Sequence, residues 1–132
     1  MTQNELLRPA GLVQSPAFTH VAIVPPGATT IYIGGQNSVT SDGTLIGAGD
    51  AAAQTEQVMK NLHLALAAAG ATVQDLVMMT VIFVDGVDLA EAYPVAAAGL
   101  AGAAPPVVGV QVAGLAVPGA LIEVSAVAAV TR

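Results

Sequence analysis

Residues 50–84 read DAAAQTEQVMKNLHLALAAAGATVQDLVMMTVIFV, and this stretch decides the fold class. From Ala51 to Ala69 there is no glycine or proline and good helix formers dominate, which predicts a helix. Asp50 is a suitable N-cap, and Gly70 stands where a helix-ending glycine is expected. Apolar residues recur at helical spacing and predict one buried face, formed by Val58, Leu62, Ala65, Leu66 and Ala69.

The second half of this stretch predicts a buried strand. Residues from Asp75 to Val84 are apolar at nearly every position, whereas a strand exposed on one face alternates between apolar and polar residues. We therefore expect cover on both faces of the strand. The preceding helix supplies one cover, and the second is expected to come from outside the single chain.

Shorter signals on either side complete an α+β order. Pro9, Gly11 and Pro16 predict an irregular lead-in over residues 1–16. The other predicted elements are strands Phe18–Val24 and Thr30–Ile33, a hairpin around Asp42-Gly43, a helix Asp88–Ala98, and strands Val107–Val112 and Leu121–Val130. The order ββ(β)-α-β-α-ββ indicates a mixed sheet with two helices on one face, in one domain over residues 1–132.

The composition predicts self-association and excludes some partners. Apolar residues make up 55% of the chain and charged residues 9%, against about 45–50% and about 25% in typical domains. Buried subunit contacts would explain this excess, and an alanine-rich composition bias is the alternative. The net charge is −6, and Arg8, Lys60 and Arg132 are the only Lys or Arg residues. Nucleic acid and acidic membrane surfaces are therefore unfavourable partners.

Residue types exclude several kinds of chemistry. The absence of cysteine rules out disulfides, thiolate zinc sites and a cysteine nucleophile. His20 and His63 lack metal-ligand spacing, so neither a metal nor another cofactor is predicted. The segment Met1–Arg8 is too polar for a signal peptide, and no apolar run is long enough to span a membrane. We expect a cytoplasmic protein.

One charged residue lies within the final predicted strand. Glu123 stands between Ile122 and Val124, so its side chain should point to the opposite sheet face from theirs. A carboxylate on a covered face would suit general acid or base chemistry. The alternative is an exposed glutamate on a sheet edge.

Several segments share family patterns in order and spacing. Residues 54–71 follow Q-x-x-x-V-x-x-N-L…L-x-x-A-G, and residues 75–85 follow D-V-V-K-x-T-V-F-L-x-D. Residues 31–36 are similar to V-Y-V-S-G-Q, residues 105–115 to P-A-R-S-x-V-x-V-x-x-L, and residues 121–124 to a closing V-E-I pattern. Together these segments resemble the RidA (YjgF/YER057c/UK114) family.

The resemblance implies a chorismate-mutase-like fold and a homotrimer in which three sheets face inward. Small-molecule ligands would bind in clefts between subunits. Characterised members of the family are hydrolases that deaminate reactive enamines and imines, such as 2-aminoacrylate, by adding water. In them an arginine pairs with the substrate carboxylate. A backbone group two residues later and a strand glutamate position the water.

Carried over to this sequence, the resemblance implies Glu123 and Gly109 as the catalytic groups. The implied ligand-binding residues are Phe18, Thr19, Gly34, Gly35, Val107 and Val108. Phe18 replaces a tyrosine, Gly34 replaces a serine, and Val107 stands where the family keeps its arginine. Whether Arg8, Lys60 or Arg132 takes over from that arginine is open.

Three hypotheses for function follow. The first is an enzyme with a shifted substrate, which hydrolyses or tautomerises an imine, enamine or activated carbonyl with Glu123 as acid and base. Because Val107 replaces the arginine, 2-aminoacrylate is not expected as its standard substrate. The second is a non-enzymatic small-ligand-binding or regulatory trimer, in which Glu123 anchors a hydroxyl or amine. In the third, Glu123 only serves the trimer structure.

Overall fold

The computed structural model describes residues 3–132 and confirms an α+β architecture with two helices. The strands are β1 (Glu5–Leu7), β2 (Val21–Ile23), β3 (Thr29–Gln36), β4 (Leu76–Val84), β5 (Val107–Val112) and β6 (Ile122–Val130). The helices are α1 (Ala51–Ala68) and α2 (Leu89–Leu100), and a 3₁₀ turn (Val73–Asp75) precedes β4. Neither helix has the length and apolar character needed to cross a bilayer.

Four strands form the main sheet in the order β3-β6-β4-β5. β4 and β5 run parallel and the other neighbours antiparallel, so the sheet is mixed as predicted. Both helices pack on one face. Val58, Leu62 and Leu66 of α1 are fully buried in the same core as Val124 and Ala128 of β6.

The boundaries of α1 follow the local signals in the sequence. The Asp50 carboxylate accepts a hydrogen bond from the Ala53 N–H at 3.0 Å, which confirms the predicted N-cap. Gly70 adopts a φ of 71°, a left-handed conformation that favours glycine after a helix. In α2, Asp88 caps the Ala90 N–H at 2.9 Å. The helix continues past Pro94 to Leu100, two residues beyond the predicted end.

Of two predictions in the first half of the chain, one is wrong and one is confirmed. The lead-in over residues 1–16 is not irregular throughout, because Glu5–Leu7 pairs antiparallel with Val21–Ile23. Three residues are too few to show a strand pattern, and residues 1–2 lie outside the described part. The hairpin around Asp42-Gly43 is confirmed, because backbone hydrogen bonds join Thr40 to Thr44 and Ser38 to Ile46 around the turn, although it forms one antiparallel bridge, between Val39 and Leu45, and no full strands.

The sheet face away from the helices is apolar and exposed. Tyr32 is 79% exposed and Val108 is 45% exposed, and Met78 and Val110 are exposed beside them. The register places Ile82 of β4 opposite Glu123 of β6 on this face. These side chains remain exposed within residues 3–132, so the single chain does not supply the full second cover that the sequence predicts.

Candidate functional site

A backbone irregularity in β3 makes room for the Glu123 side chain. The register between β3 and β6 shifts between Ile33 and Gln36. At this shift a Cβ on Gly35 would lie 2.6 Å from Glu123 Oε2 and 2.7 Å from its Cδ, closer than real contacts allow. Glycine at position 35 is therefore required for Glu123 to keep this position, where its side chain is half-buried.

Asn37 is the hydrogen-bond donor beside Glu123. Its Nδ2 donates to Glu123 Oε1 at 3.4 Å and to the Ile122 carbonyl at 3.3 Å. Asn61 of α1 fixes this segment by donating to the carbonyl oxygens of Asn37 and Val39, each at 2.9 Å. Helix α1 thus holds the amide that points at the carboxylate. Sequence reasoning missed Asn37, because no local pattern links it to a residue 86 positions away.

Gln54 anchors the chain segment that leads into β6 and Glu123. This side chain is fully buried, and its Oε1 accepts a hydrogen bond from the Leu121 N–H at 2.8 Å. Its Nε2 donates to the carbonyls of Gly119 at 3.0 Å and Gly47 at 3.2 Å. The chain is therefore anchored two residues before Glu123.

Val107 lies in a different environment, on the helix face of the sheet. It pairs with Met79 at the start of β5. Together with Phe18 it lines a cavity of about 340 Å³ between α2 and the sheet. The structure thus brings together Phe18 and Val107, two of the predicted ligand-binding residues.

Gly109 presents its backbone at the open edge of the sheet. The N–H of Met79 donates to the Pro106 carbonyl and the N–H of Asp85 donates to the Val112 carbonyl. Even-numbered residues of β5 therefore bond to β4. Backbone groups alternate sides along a strand, so the N–H and C=O of Gly109 point away from β4. The predicted backbone position is free of sheet pairing on that side.

Within one chain the predicted residues form two separate groups, one around Glu123 on β6 and one around Val107 and Gly109 on β5. Strand β4 lies between Glu123 on β6 and Gly109 on β5. Neighbouring strands are about 4.8 Å apart, so roughly 10 Å separates the backbones of β6 and β5. Val107 faces the helices, whereas Glu123 and Val108 lie on the opposite face. One protomer alone does not join the two groups.

Two other predicted ligand-binding residues have clear surroundings. Thr19 is buried, and its hydroxyl donates to the Ala104 carbonyl at 2.8 Å, which ties residue 19 to the loop before β5. Gly34 is exposed, and a Cβ there would meet no atom within 4 Å. The ligand-binding role of both residues stays a prediction.

Each of the three cationic side chains is engaged outside the cavity under α2. Arg8 donates from Nε to the carbonyls of Ser15 at 2.7 Å and Phe18 at 3.0 Å, so it clamps the loop behind the cavity wall. Lys60 pairs with Glu56 on the exposed side of α1 at 3.3 Å. Arg132 donates to the Ala69 carbonyl. None of them lines the cavity that contains Val107.

The histidines also have structural partners. A ring nitrogen of His20 lies 2.7 Å from the Val13 carbonyl, and one of His63 lies 2.6 Å from the Gly99 carbonyl. In residues 3–132, no three side chains of the metal-binding types come together.

Replacing Gly35 with alanine is expected to reduce activity that depends on Glu123 by at least tenfold. The added Cβ would displace the carboxylate from its contact with Asn37. Kinetics on any substrate that the parent protein turns over would measure the loss. Gly114→Ala is the control, since a Cβ there would meet no atom within 4 Å and Gly114 lies outside the proposed site. Equal activity in both variants would contradict the required fit at Gly35.

The fold and the carboxylate beside a glycine bulge define a class of small α+β proteins with a mixed sheet and two helices on one face. A family model described as endoribonuclease L-PSP matches residues 14–130. A Rid-family protein of unknown function from Yersinia pestis shares 32% identity, with a TM-score of 0.85 over 96% of this chain and 98% of that one. The chain belongs to this family, the Rid or YjgF/YER057c/UK114 family.

Other solved structures share the fold. RidA from the Antarctic bacterium Psychrobacter sp. PAMC 21119 is 28% identical, with a TM-score of 0.62 over 88% of this chain and 96% of that one. E. coli TdcF, solved with bound serine, is 25% identical, with a TM-score of 0.70 over 91% of this chain and 98% of that one. The match spans nearly the whole length of these relatives, so the fold assignment covers both groups of site residues.

Proposed function

We propose that this chain is a Rid-type enzyme that hydrolyses or tautomerises an imine, an enamine or an activated carbonyl, with Glu123 as acid and base. The observation that carries the proposal is the setting of the Glu123 carboxylate. It is half-buried in the last strand, receives a hydrogen bond from Asn37 and occupies space that only Gly35 leaves open. Such fixed carboxylates suit proton transfer.

For an imine, the proposed step adds one water to the C=N bond. Glu123 accepts a proton from the water as its oxygen bonds to the carbon, and the protonated carboxyl then gives a proton to the nitrogen. The Glu123 carboxylate next takes the hydroxyl proton of this carbinolamine and passes it to the amino group, so that the C–N bond breaks, ammonia leaves and a carbonyl compound remains. A tautomerisation needs only the proton transfers, so the same carboxyl serves both reactions.

The proposed site lies between subunits of a homotrimer. Two observations support this arrangement. The exposed sheet face carries apolar side chains such as Tyr32 and Val108, which a partner sheet would bury. The free backbone edge at Gly109 and the Glu123 carboxylate lie on different strands of one chain. A neighbouring subunit would bring the edge of one protomer to the carboxylate of the next.

A substrate without a carboxylate is proposed because Val107 replaces the family arginine. A buried carboxylate beside Val107 would have no cationic partner, since Arg8, Lys60 and Arg132 are all engaged elsewhere. Losing a charged hydrogen bond costs about 1.5–3 kcal/mol, and an unpaired buried charge costs more. This cost would weaken binding of 2-aminoacrylate, whose carboxylate would have no cationic partner.

We expect kcat/KM for 2-aminoacrylate to be about tenfold to more than a hundredfold below that of a relative with arginine at the position of Val107. The measurement is ammonia release from 2-aminoacrylate generated enzymatically in the assay. A neutral imine without a carboxylate serves as the comparison substrate. Turnover of 2-aminoacrylate equal to that of the arginine-bearing relative would contradict the role given to Val107.

A non-enzymatic small-ligand binder is the second candidate. The observation in its favour is that the residues lining the cavity under α2 include no acid or base apart from the Tyr93 hydroxyl. In this case Glu123 would hold a ligand amine or hydroxyl without transferring a proton. A Glu123→Gln variant separates the two functions, because it would stop turnover but leave much of the binding.

RNA is not proposed as a substrate, although the family model carries an endoribonuclease description. Binding to a phosphate backbone needs several clustered cations. This chain has three Lys and Arg residues and a net charge of −6. Arg8 bonds to the loop before β2, Lys60 lies on the exposed side of α1, and Arg132 bonds to the end of α1. The three side chains do not form a positively charged patch.

A further inference from the structure

We infer that the cavity under α2 is a specificity pocket for an uncharged hydrocarbon group of the substrate, and this inference rests on the proposed function. The cavity has a volume of about 340 Å³. Its floor is the helix face of the sheet, with Met79, Val81 and Phe83 of β4. Its roof is α2, and Phe18 and Val107 lie along its wall.

Small side chains on α2 create this space. Ala92, Ala96 and Ala97 line the cavity, where longer side chains would reach the sheet. Gly102 and Ala103 continue the wall just after the helix with equally little bulk. Leucine side chains at these three positions of α2 would fill the cavity. The alanines therefore leave an apolar space that a ligand can occupy.

The chemistry of the lining selects against charge. Among the described residues that line the cavity, none carries a charged side chain, and Tyr93 supplies the only polar one. A carboxylate entering here would lose its water without gaining a partner, which is strongly unfavourable. A hydrocarbon group loses water favourably in the same place.

The volume limits the occupant to a small molecule. A sealed apolar cavity of about 150 Å³ binds benzene. This cavity is about twice that size, so it has room for a substituted phenyl ring or an aliphatic chain of about six carbons.

The position of the cavity links it to the proposed chemistry. Val107 lines the cavity and is two residues before Gly109, whose backbone faces the open sheet edge. A hydrocarbon chain bound under α2 would place its polar end near this edge. The proposed inter-subunit cleft would then receive the reactive C=N or C=O group there.

The test is a binding series with the unmodified protein, using primary alcohols from 1-butanol to 1-hexanol and the carboxylates from butanoate to hexanoate. Ligand-observed NMR titrations give the dissociation constants without turnover. We expect affinity for the alcohols to rise about fourfold with each added methylene. The carboxylates should bind at least tenfold more weakly. No dependence on chain length, or carboxylates that bind as well as alcohols, would overturn the inference.

Two tryptophan variants locate the binding on α2. Ala97→Trp should weaken hexanol binding at least tenfold, because residue 97 lines the cavity. Ala98→Trp is the matched control, since Ala98 lies in the groove between α1 and α2 and should leave affinity unchanged. Equal loss in both variants, or in neither, would place the binding elsewhere and reject the pocket.

A charge variant tests the selectivity directly. Val107→Arg should improve binding of hexanoate relative to hexanol by at least tenfold, since it adds a cation at the cavity wall. Glu123→Gln should bind the alcohols as the parent does. Undiminished turnover in Glu123→Gln would contradict the proposed function but not the pocket. Absence of alcohol binding to the parent protein would contradict the pocket but not the proposed function.

Discussion

Replacing Glu123 with glutamine is expected to lower turnover of a C=N or activated carbonyl substrate by about 10²- to 10⁴-fold, the usual contribution of general acid–base catalysis. Glutamine has nearly the same shape and fits the same space over Gly35. Its carbonyl oxygen can still accept the hydrogen bond from Asn37. What it loses is the ability to accept and return a proton, so the effect should fall on kcat.

Kinetics, ligand affinity and thermal stability should be measured together on this variant. Ser125→Ala is the matched control, because Ser125 is on the same strand and the same sheet face two residues further on. Unchanged turnover in Glu123→Gln would reject the acid–base role. Retained binding in a parent protein without turnover would favour the ligand-binding function. Loss of the oligomer and a lower melting temperature would instead assign Glu123 a structural role.

Local sequence signals were sufficient for the elements that depend on neighbouring residues. Asp50, Gly70 and the helical spacing between them predicted α1 to within one residue at its end. The run before Val84 predicted β4, and β5 has its predicted bounds. The strand Glu5–Leu7 could not be predicted in this way, because its partner is Val21–Ile23 and no pattern in three residues indicates a pairing.

The site was predictable only in parts. The strand period placed Glu123 on the opposite face from Ile122 and Val124, and the register with Ile82 agrees. The family resemblance brought Gly35 into the site, and the structure gives the steric reason for that glycine. In the structure, Val107 and Glu123 lie on opposite faces of the sheet. That separation depends on strand order and register, which the sequence alone does not supply.

The helix pattern Q-x-x-x-V-x-x-N-L has a physical role in positioning the site. Gln54 accepts a hydrogen bond from the N–H of Leu121, just before β6. Asn61 donates to the backbone carbonyl of Asn37 and so holds the residue whose side chain contacts the Glu123 carboxylate. The two amides lie seven residues apart on α1, which is about two helical turns on one face. One helix thus fixes both chain segments that approach Glu123, although neither amide lies in the proposed cleft.

Gln54→Ala is expected to lower the free energy of unfolding by about 3 kcal/mol. The side chain is fully buried, and its removal leaves the Leu121 N–H and the Gly119 carbonyl without their partner. Each unsatisfied buried group costs about 1–3 kcal/mol, and the vacated volume adds to the loss. Urea unfolding at a fixed protomer concentration measures the change, because self-association would make stability depend on concentration.

Gln57→Ala is the matched control on the same helix. Its amide is only partly buried and donates to Asn61 alone, so a loss of less than about 1 kcal/mol is expected. Gln54→Met keeps most of the volume and should still lose about 2 kcal/mol, which isolates the hydrogen-bond contribution. Equal losses in Gln54→Ala and Gln57→Ala would show that the buried amide does not anchor β6. Because Glu123 follows two residues after that anchor, Gln54→Met should also lower kcat while leaving alcohol binding under α2 intact.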